Sequence, residues 1–341
     1  REFLDNMPFG YPTTESGVEL KILKKLFTPE RAEIKMKLTP MPETAAQIAP
    51  RLGMDETQAA ETLESMAQDG LILRLRAGDV AMYGATSYMV GIYEFQIKTI
   101  DRELSELMEE FLPHLYDVWD SKTKMLRVLP VDAAMDGDKR LAAYNQIDKI
   151  IKGKQLMAVG SCICTKEQEQ LGNKCNAPEE SFIFFDAFAQ YYMDNGMARQ
   201  IDEKELADLL KMGEEKGLVL SPRNAKEITN ICLCCECCCD ILRMHQNFER
   251  PADQIQSSYQ AKIDPDLCVL CGTCEERCPV QAPKEVDDSY EVDTARCIGC
   301  GVCVPTCPEE AISMVDRPEI ATVPENFFDM QGRLAKERGV G

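Results

Sequence analysis

Cys268-Val269-Leu270-Cys271-Gly272-Thr273-Cys274-Glu275-Glu276-Arg277-Cys278-Pro279 is the stretch from which the rest of this chain is read. Its spacing, Cys-x-x-Cys-x-x-Cys-x-x-x-Cys-Pro, returns after 18 intervening residues as Cys297, Cys300, Cys303, Cys307 and Pro308. Two-residue gaps let a chain wrap three thiolates around one face of a small inorganic cube, and the proline then turns the chain away. Gly272, Gly299 and Gly301 fit a close approach of backbone to sulfide, where a Cβ would crowd the cluster. Zinc also accepts sets of four cysteines, but two runs of this rhythm, each closed by Cys-Pro, favour iron and sulfide.

The chain has 341 residues, enough for two to three domains, and 17 cysteines. Eight belong to the double run and nine lie elsewhere. Adjacent cysteines such as Cys234-Cys235 and Cys237-Cys238-Cys239 would bridge one another only with strain, so a disulfide framework is not expected. Clustered soft thiolates point to a reducing compartment, hence to a cytoplasmic, anaerobic protein. No apolar run approaches the ~18–20 residues of a membrane span. The net charge of −20 opposes binding to nucleic acid or to an anionic membrane, and suits docking on basic patches of protein partners.

The fold class expected is α+β, in several domains. Residues 1–14, punctuated by Pro8, Gly10 and Pro12, read as an extended arm. Helical spacing follows from about Thr14, with a capped second helix at Thr28-Pro29-Glu30 that runs to about Leu38. Residues 43–49 and 55–68 read as two more helices, and Leu71–Arg76 and Val80–Tyr83 as a two-stranded wing. The pattern resembles a winged helix of the MarR-like kind, within a unit of residues 15–124 that ends in a linker helix over 94–111, stopped by Pro113. Its candidate recognition helix carries Asp55, Glu56, Glu61, Glu64 and Asp69 and no Lys or Arg, and across 15–80 acidic residues outnumber basic ones 11 to 9. Base edges and phosphates are read by Arg, Lys, Asn and Gln, so nucleic acid is not an expected partner. Only Arg74 and Arg76 in the wing suit DNA.

Residues 125–260 are expected to form a mainly helical, Cys-rich metal-cluster domain. Met125–Val131 reads as a strand, residues 142–151 as a helix, and Leu156–Val159 as a short buried strand that delivers Cys162 and Cys164, with Cys175 beyond Gly172. Phe182, Ile183, Phe185, Phe188, Tyr191 and Tyr192 suggest one helix, and residues 202–216 another, ended by Gly217. Then come Cys232, Cys234, Cys235, Cys237, Cys238 and Cys239. Six cysteines in eight residues exceed what packing explains. Three ligands from the first segment and one from the second would complete a further cluster, and the remaining five suffice for a fourth or for a larger one; zinc is the competing occupant. His114 is read as a partly buried surface residue, and His245 as a capped surface residue or an extra metal ligand, the surface reading being favoured.

Taken together, the winged-helix start, the Gly160-Ser161-Cys162-Ile163-Cys164 segment, the Cys232–Cys239 run and the C-terminal double run resemble a family of ferredoxin-domain proteins of anaerobic bacteria. The terminal block, residues 261–316, resembles a bacterial two-[4Fe–4S] ferredoxin, with 317–341 as a tail. That resemblance implies crossed ligation, in which the fourth cysteine of each run binds the other run's cluster. One [4Fe–4S] cluster then belongs to Cys268, Cys271, Cys274 and Cys307, the second to Cys297, Cys300, Cys303 and Cys278. At least one further iron–sulfur cluster is expected in 125–260. The resemblance gives architecture and no activity; the function expected from the clusters themselves is electron transfer, as a subunit or docking partner of a redox enzyme, with redox proteins or enzyme subunits as partners and self-association left open. Two alternatives stand beside it: an oxidoreductase with an open-site cluster in 125–260, and a redox-sensing winged-helix regulator. No Gly-x-Gly-x-x-Gly loop is present, so no flavin or nicotinamide is expected.

Overall fold

The computed structural model describes residues 1–119, 121–135, 147–319 and 322–340. The N-terminal segment departs from the extended arm expected of it. Helix α1 (Glu2–Asp5) is followed by Met7, Phe9 and Tyr11, all buried. The Tyr11 hydroxyl donates to the Glu19 carbonyl at 2.8 Å, and the Trp119 indole donates to the Phe9 carbonyl at 2.8 Å. Proline and glycine spacing spoke for a loop, but three large side chains with somewhere to go drew the segment into the core.

Helices α2 (Val18–Leu26), α3 (Pro29–Met36), α4 (Ala45–Leu52) and α5 (Glu56–Gln68) surround a small antiparallel sheet of order β1-β3-β2, formed by β1 (Glu43–Thr44), β2 (Leu73–Ala77) and β3 (Val80–Gly84). Their starts are written locally: the Thr28 hydroxyl caps α3, Thr44 and Gln47 form a capping box on α4, and Asp55 caps α5. The two arginines of β2 point inward to the next unit. Arg74 is buried and bonds Glu64 and Asn195, and Arg76 bonds Asp194 at 2.8 Å. Residues 88–96 form irregular turns in which the Glu94 carboxylate accepts from the Val90 and Gly91 amides. The linker helix α6 spans Arg102–Asp117, starting later than expected and running through Pro113. Pro113 is exposed while Phe111, Leu112 and Leu115 are buried on either side, so packing carries the helix past the lost hydrogen bond.

The middle of the chain is organised by a five-stranded antiparallel sheet rather than by helices, which corrects the mainly helical expectation. Its order is β6-β4-β5-β8-β7, from β4 (Met157–Ser161), β5 (Glu180–Phe185), β6 (Ala198–Gln200), β7 (Val219–Pro222) and β8 (Asn230–Cys234). Helices α7 (Ile147–Ile151), α8 (Ile163–Leu171), α9 (Asp186–Asp194), α10 (Glu203–Lys216) and α11 (Asp240–Asn247) complete this part. The rest of the helix expected over 142–151 lies outside the described residues. Phe182 to Tyr192 proves to be a strand followed at once by a helix. An unbroken apolar run fits a two-sided buried strand as well as a helix, and pairing of β5 with β4 and β8 decided for the strand. Residues 125–131 bridge to the sheet singly, through Leu126 to Arg223 and Leu129 to Leu220.

Alternation along β5 sends Phe182 and Phe184 into one core and Ile183 and Phe185 into another. The first core continues into the N-terminal unit (Tyr11, Ile22, Leu63, Phe111) and the C-terminal helix α13 (Phe327–Arg338), through Phe327, Met330 and Leu334. The second continues into the C-terminal block (Ile263, Val280, Ile298, Met314). There β9 (Tyr259–Ile263) pairs with β12 (Ile312–Asp316), β10 (Pro283–Val286) with β11 (Ser289–Val292), and the short helix α12 (Thr273–Arg277) lies between. The sheet thus holds the N-terminal unit on one face and the C-terminal block on the other.

Candidate metal centres

The C-terminal block gathers its cysteines into two sets drawn from both runs. One cavity is lined by Cys268, Cys271 and Cys274 from the first run and Cys307 from the second. In the other set burial and then the charge of Cys297 raise the Cys278 thiol, and burial and then the charge of Cys278 raise Cys300. Burial pushes Cys274 up to about 11 and raises Cys300 and Cys303 further, as expected of thiols that await a cationic centre. Backbone amides point at three of the sulfurs: Ala261 to Cys297 at 3.4 Å, Ala282 to Cys278 at 3.2 Å and Ala311 to Cys307 at 3.3 Å. Four convergent thiols with amide donors fit an iron–sulfur cluster.

Two of the three glycines of the runs are also required by their protein neighbours. A Cβ on Gly299 (φ +74°) would lie closer than 3.0 Å to the Tyr259 carbonyl and the Ser257 hydroxyl, and one on Gly301 (φ +71°) would strike Ala134. Their neighbours are protein, so these residues let the cluster loop lie against β9 and residues 130–134. Gly272 (φ +76°) meets nothing nearer than the Tyr290 hydroxyl at 3.5 Å.

The nine remaining cysteines form an inner and an outer set. Strand β4 ends at Ser161, and the next residue, Cys162, is the N-cap of α8, which places Cys164 in the first turn. Cys232 and Cys234, two residues apart on β8, share a face. Cys239 caps the start of α11. These five thiols lie near enough to act on one another's ionisation: Cys162 and Cys239 on Cys164, and Cys232 and Cys239 on Cys234. Contacts from Cys164 and Cys234, aided by the Leu242 and Ile241 amides, hold Cys239 well below the usual thiol range. Cys164 and Cys234 are driven well above it by their thiol neighbours and by burial. The ends of β4 and β8 and the start of α11 bring these thiols to one buried region, and the donor set suits a polynuclear cationic cluster.

Around this inner set lie residues that the cysteine pattern did not reveal. Asp240 is fully buried; burial and then Cys239 raise its carboxyl to about 8, and its nearest cation, Arg243, is 3.6 Å away. Burial raises Glu167 to about 10, and one of its oxygens accepts from the Tyr93 hydroxyl. Arg243 forms a two-pronged pair with Glu109 of α6 at 2.6 and 2.9 Å, and Tyr116 of the same helix donates to the Ile241 carbonyl. The Cys-Asp dipeptide at a helix start was the one sequence signal for this shell. His245, read as a surface residue, is 2% exposed beside Tyr116 and Phe248, and burial lowers its imidazole to about 4. His114 is half-buried.

The outer set corrects the expected split of three ligands and one. It takes Cys175 from the first segment and Cys235, Cys237 and Cys238 from the second, with all four sulfurs within 4.8 Å of one another. Gly172 (φ +89°) ends α8 and turns the chain so that Cys175 returns toward the 235–238 loop. The cleft before this set is lined by Cys175, Cys235 and Cys237 on one side and by Glu276, Arg277 and Pro279 of the C-terminal block on the other. The two sides are fastened together: the Gln246 amide donates to the Pro279 carbonyl at 3.1 Å, and Arg277 donates to the Glu214 and Glu215 carbonyls. A smaller cavity is shared by Cys162 of the inner set and Cys175 of the outer.

Residues 260–311 match the family model of the 4Fe-4S dicluster domain. No curated protein and no solved structure matches the chain. The C-terminal block is therefore a 4Fe-4S dicluster domain. Among the described residues no helix is long and apolar enough to cross a membrane.

Proposed function

We propose that this chain is a multi-centre electron carrier that acts as a subunit or docking partner of a larger redox enzyme. Cys268, Cys271, Cys274 and Cys307 bind one [4Fe–4S] cluster of the dicluster domain, and Cys297, Cys300, Cys303 and Cys278 bind the other. The inner thiols, Cys162, Cys164, Cys232, Cys234 and Cys239, bind at least one further iron–sulfur cluster. Such clusters, when bound, supply one-electron chemistry at potentials between about −700 and +450 mV.

The observation that carries this reading is the gathering of thiols from both Cys-Pro runs, with Cys268, Cys271, Cys274 and Cys307 lining one cavity of the matched dicluster domain. The residues of the chain set the conditions at each end. Amide donors at Cys297, Cys278 and Cys307 stabilise negative charge on sulfur and so favour reduction. Helix α6, held by the Glu109–Arg243 pair, covers the inner set. The net charge of −20 directs docking to basic surfaces. A DNA-binding regulator gains no support, since Arg74 and Arg76 of β2 are engaged with Glu64, Asp194 and Asn195.

The test is iron and acid-labile sulfide in the full-length chain purified without oxygen. At four iron atoms per cluster, roughly twelve or more are expected per chain. Replacing Cys164 and Cys239 together by serine should remove about four and leave about eight. A parent protein with only eight, unchanged in the double variant, would rule out the inner cluster.

A further inference from the structure

The two middle-domain sets differ in how close their sulfurs lie, and that difference bears on what each holds. In a cubane cluster every thiolate binds a different iron at a corner of the cube, so the four sulfurs stand well apart. Around a single tetrahedral ion all four sit on one metal at about 2.3 Å, which fixes their mutual separation near 3.8 Å. In the outer set Cys175 lies 3.9 Å from Cys235 and 3.1 Å from Cys238, and Cys237 lies 3.9 Å from Cys238. Among the described residues, no other three thiols, imidazoles or carboxylates draw together within 4.8 Å, the dicluster thiols included.

We infer that Cys175, Cys235, Cys237 and Cys238 form a closed tetrathiolate site for one thiophilic divalent ion, zinc by its chemistry, and not a fourth iron–sulfur cluster. Four thiolates around one divalent ion carry a net charge of −2. Lys174, Lys216 and Arg277 line the cleft beside them, against Glu236 and Glu276. The Ala177 amide donates to the Cys175 sulfur at 3.3 Å, as second-shell donors to metal-bound thiolates do. The inner set cannot be satisfied in the same way, because its five thiols exceed the four positions of a tetrahedral ion.

The site has a mechanical consequence. It ties the turn after α8 to the loop between β8 and α11, and that loop carries Cys234 at one end and Cys239 at the other. A single ion there fixes the spacing of inner-set ligands that the sheet alone does not fix. It also braces the wall against which Pro279 of the dicluster domain packs. The inference stands apart from the electron-transfer reading, since it concerns metal identity and not function.

The experiment is zinc, iron and sulfide analysis of the full-length protein, purified without oxygen and washed with chelator, in parent and variants. Cys175→Ser and Cys237→Ser should each lose about one zinc per chain, with iron, sulfide and the visible spectrum kept. Cys237→His, which restores a zinc ligand, should keep the ion. Loss of one iron without loss of sulfide would equally support a single-ion site. Loss of about four iron atoms together with their sulfide would overturn it. So would unchanged metal content in both serine variants. Should those variants fail to fold, the metal-edge X-ray absorption of the parent decides. Four sulfur neighbours at about 2.3 Å and no metal–metal scatterer are expected at zinc, and a parent free of both zinc and sulfide-free iron refutes the site.

Discussion

Gly299 and Gly272 have nearly the same backbone, φ +74° and +76°, yet very different surroundings, and replacing each by alanine separates two physical effects. At both positions an L-residue in the left-handed region costs about 1–2 kcal/mol. At Gly272 that is nearly the whole penalty, because the added methyl meets only the Tyr290 hydroxyl at 3.5 Å. At Gly299 the methyl collides with the Tyr259 carbonyl, which already accepts from the Ser257 hydroxyl at 3.1 Å and from Arg317 at 2.9 Å. The carbonyl cannot move aside without breaking those bonds and shifting β9, so overpacking adds about 1–3 kcal/mol. Gly299→Ala should therefore cost about 2–5 kcal/mol against about 1–2 for Gly272→Ala. Anaerobic guanidinium denaturation, followed by loss of cluster absorbance and by iron retained after desalting, measures the difference. Equal midpoints for the two variants would show that the cluster loop does not press on β9, and the account given for Gly299 would fall.

Three further outcomes are expected. Cys278→Ser should damage the cluster assigned to Cys297, Cys300 and Cys303 and leave the EPR signal of the other; loss of the Cys268–Cys274 cluster alone would contradict crossed ligation. Lys35 is buried and donates to the Leu71 and Thr86 carbonyls at 2.7 and 3.0 Å, and burial lowers its pKa from 10.5 to about 7. The unfolded chain then binds more protons than the folded one between about pH 7 and 10.5, so stability rises with pH across that window, by on the order of 5 kcal/mol in full. Lys35→Met should abolish that slope in denaturation curves at pH 7 and 9, and identical slopes in parent and variant would refute the assignment. In fluorescence anisotropy the full chain should show no sequence-specific DNA complex at ~150 mM salt, and a tight complex with a steep salt dependence would restore the regulator reading.

Sequence alone determined what depends on short-range spacing. The two Cys-Pro runs, the capped helix at Thr28 and the acidic face of α5 are all written within a few residues. Their physics is local, being ligand reach, orphan amides at helix starts, and charge. Tertiary structure decided what depends on which surfaces meet. Residues 182–185 became a strand because β4 and β8 lay on either side, residues 1–11 entered the core because Phe9 and Tyr11 found partners there, and α6 ran through Pro113 because its apolar face was already packed. The division of nine cysteines into an inner five and an outer four belongs to this second kind. Cys175 lies 60 residues from Cys235 in the chain and 3.9 Å from it in space, and only a turn at Gly172 and the pairing of β5 between β4 and β8 bring the two segments together. Long-range closure of this sort leaves no periodicity in the sequence, so the number of thiols was legible there and their grouping was not.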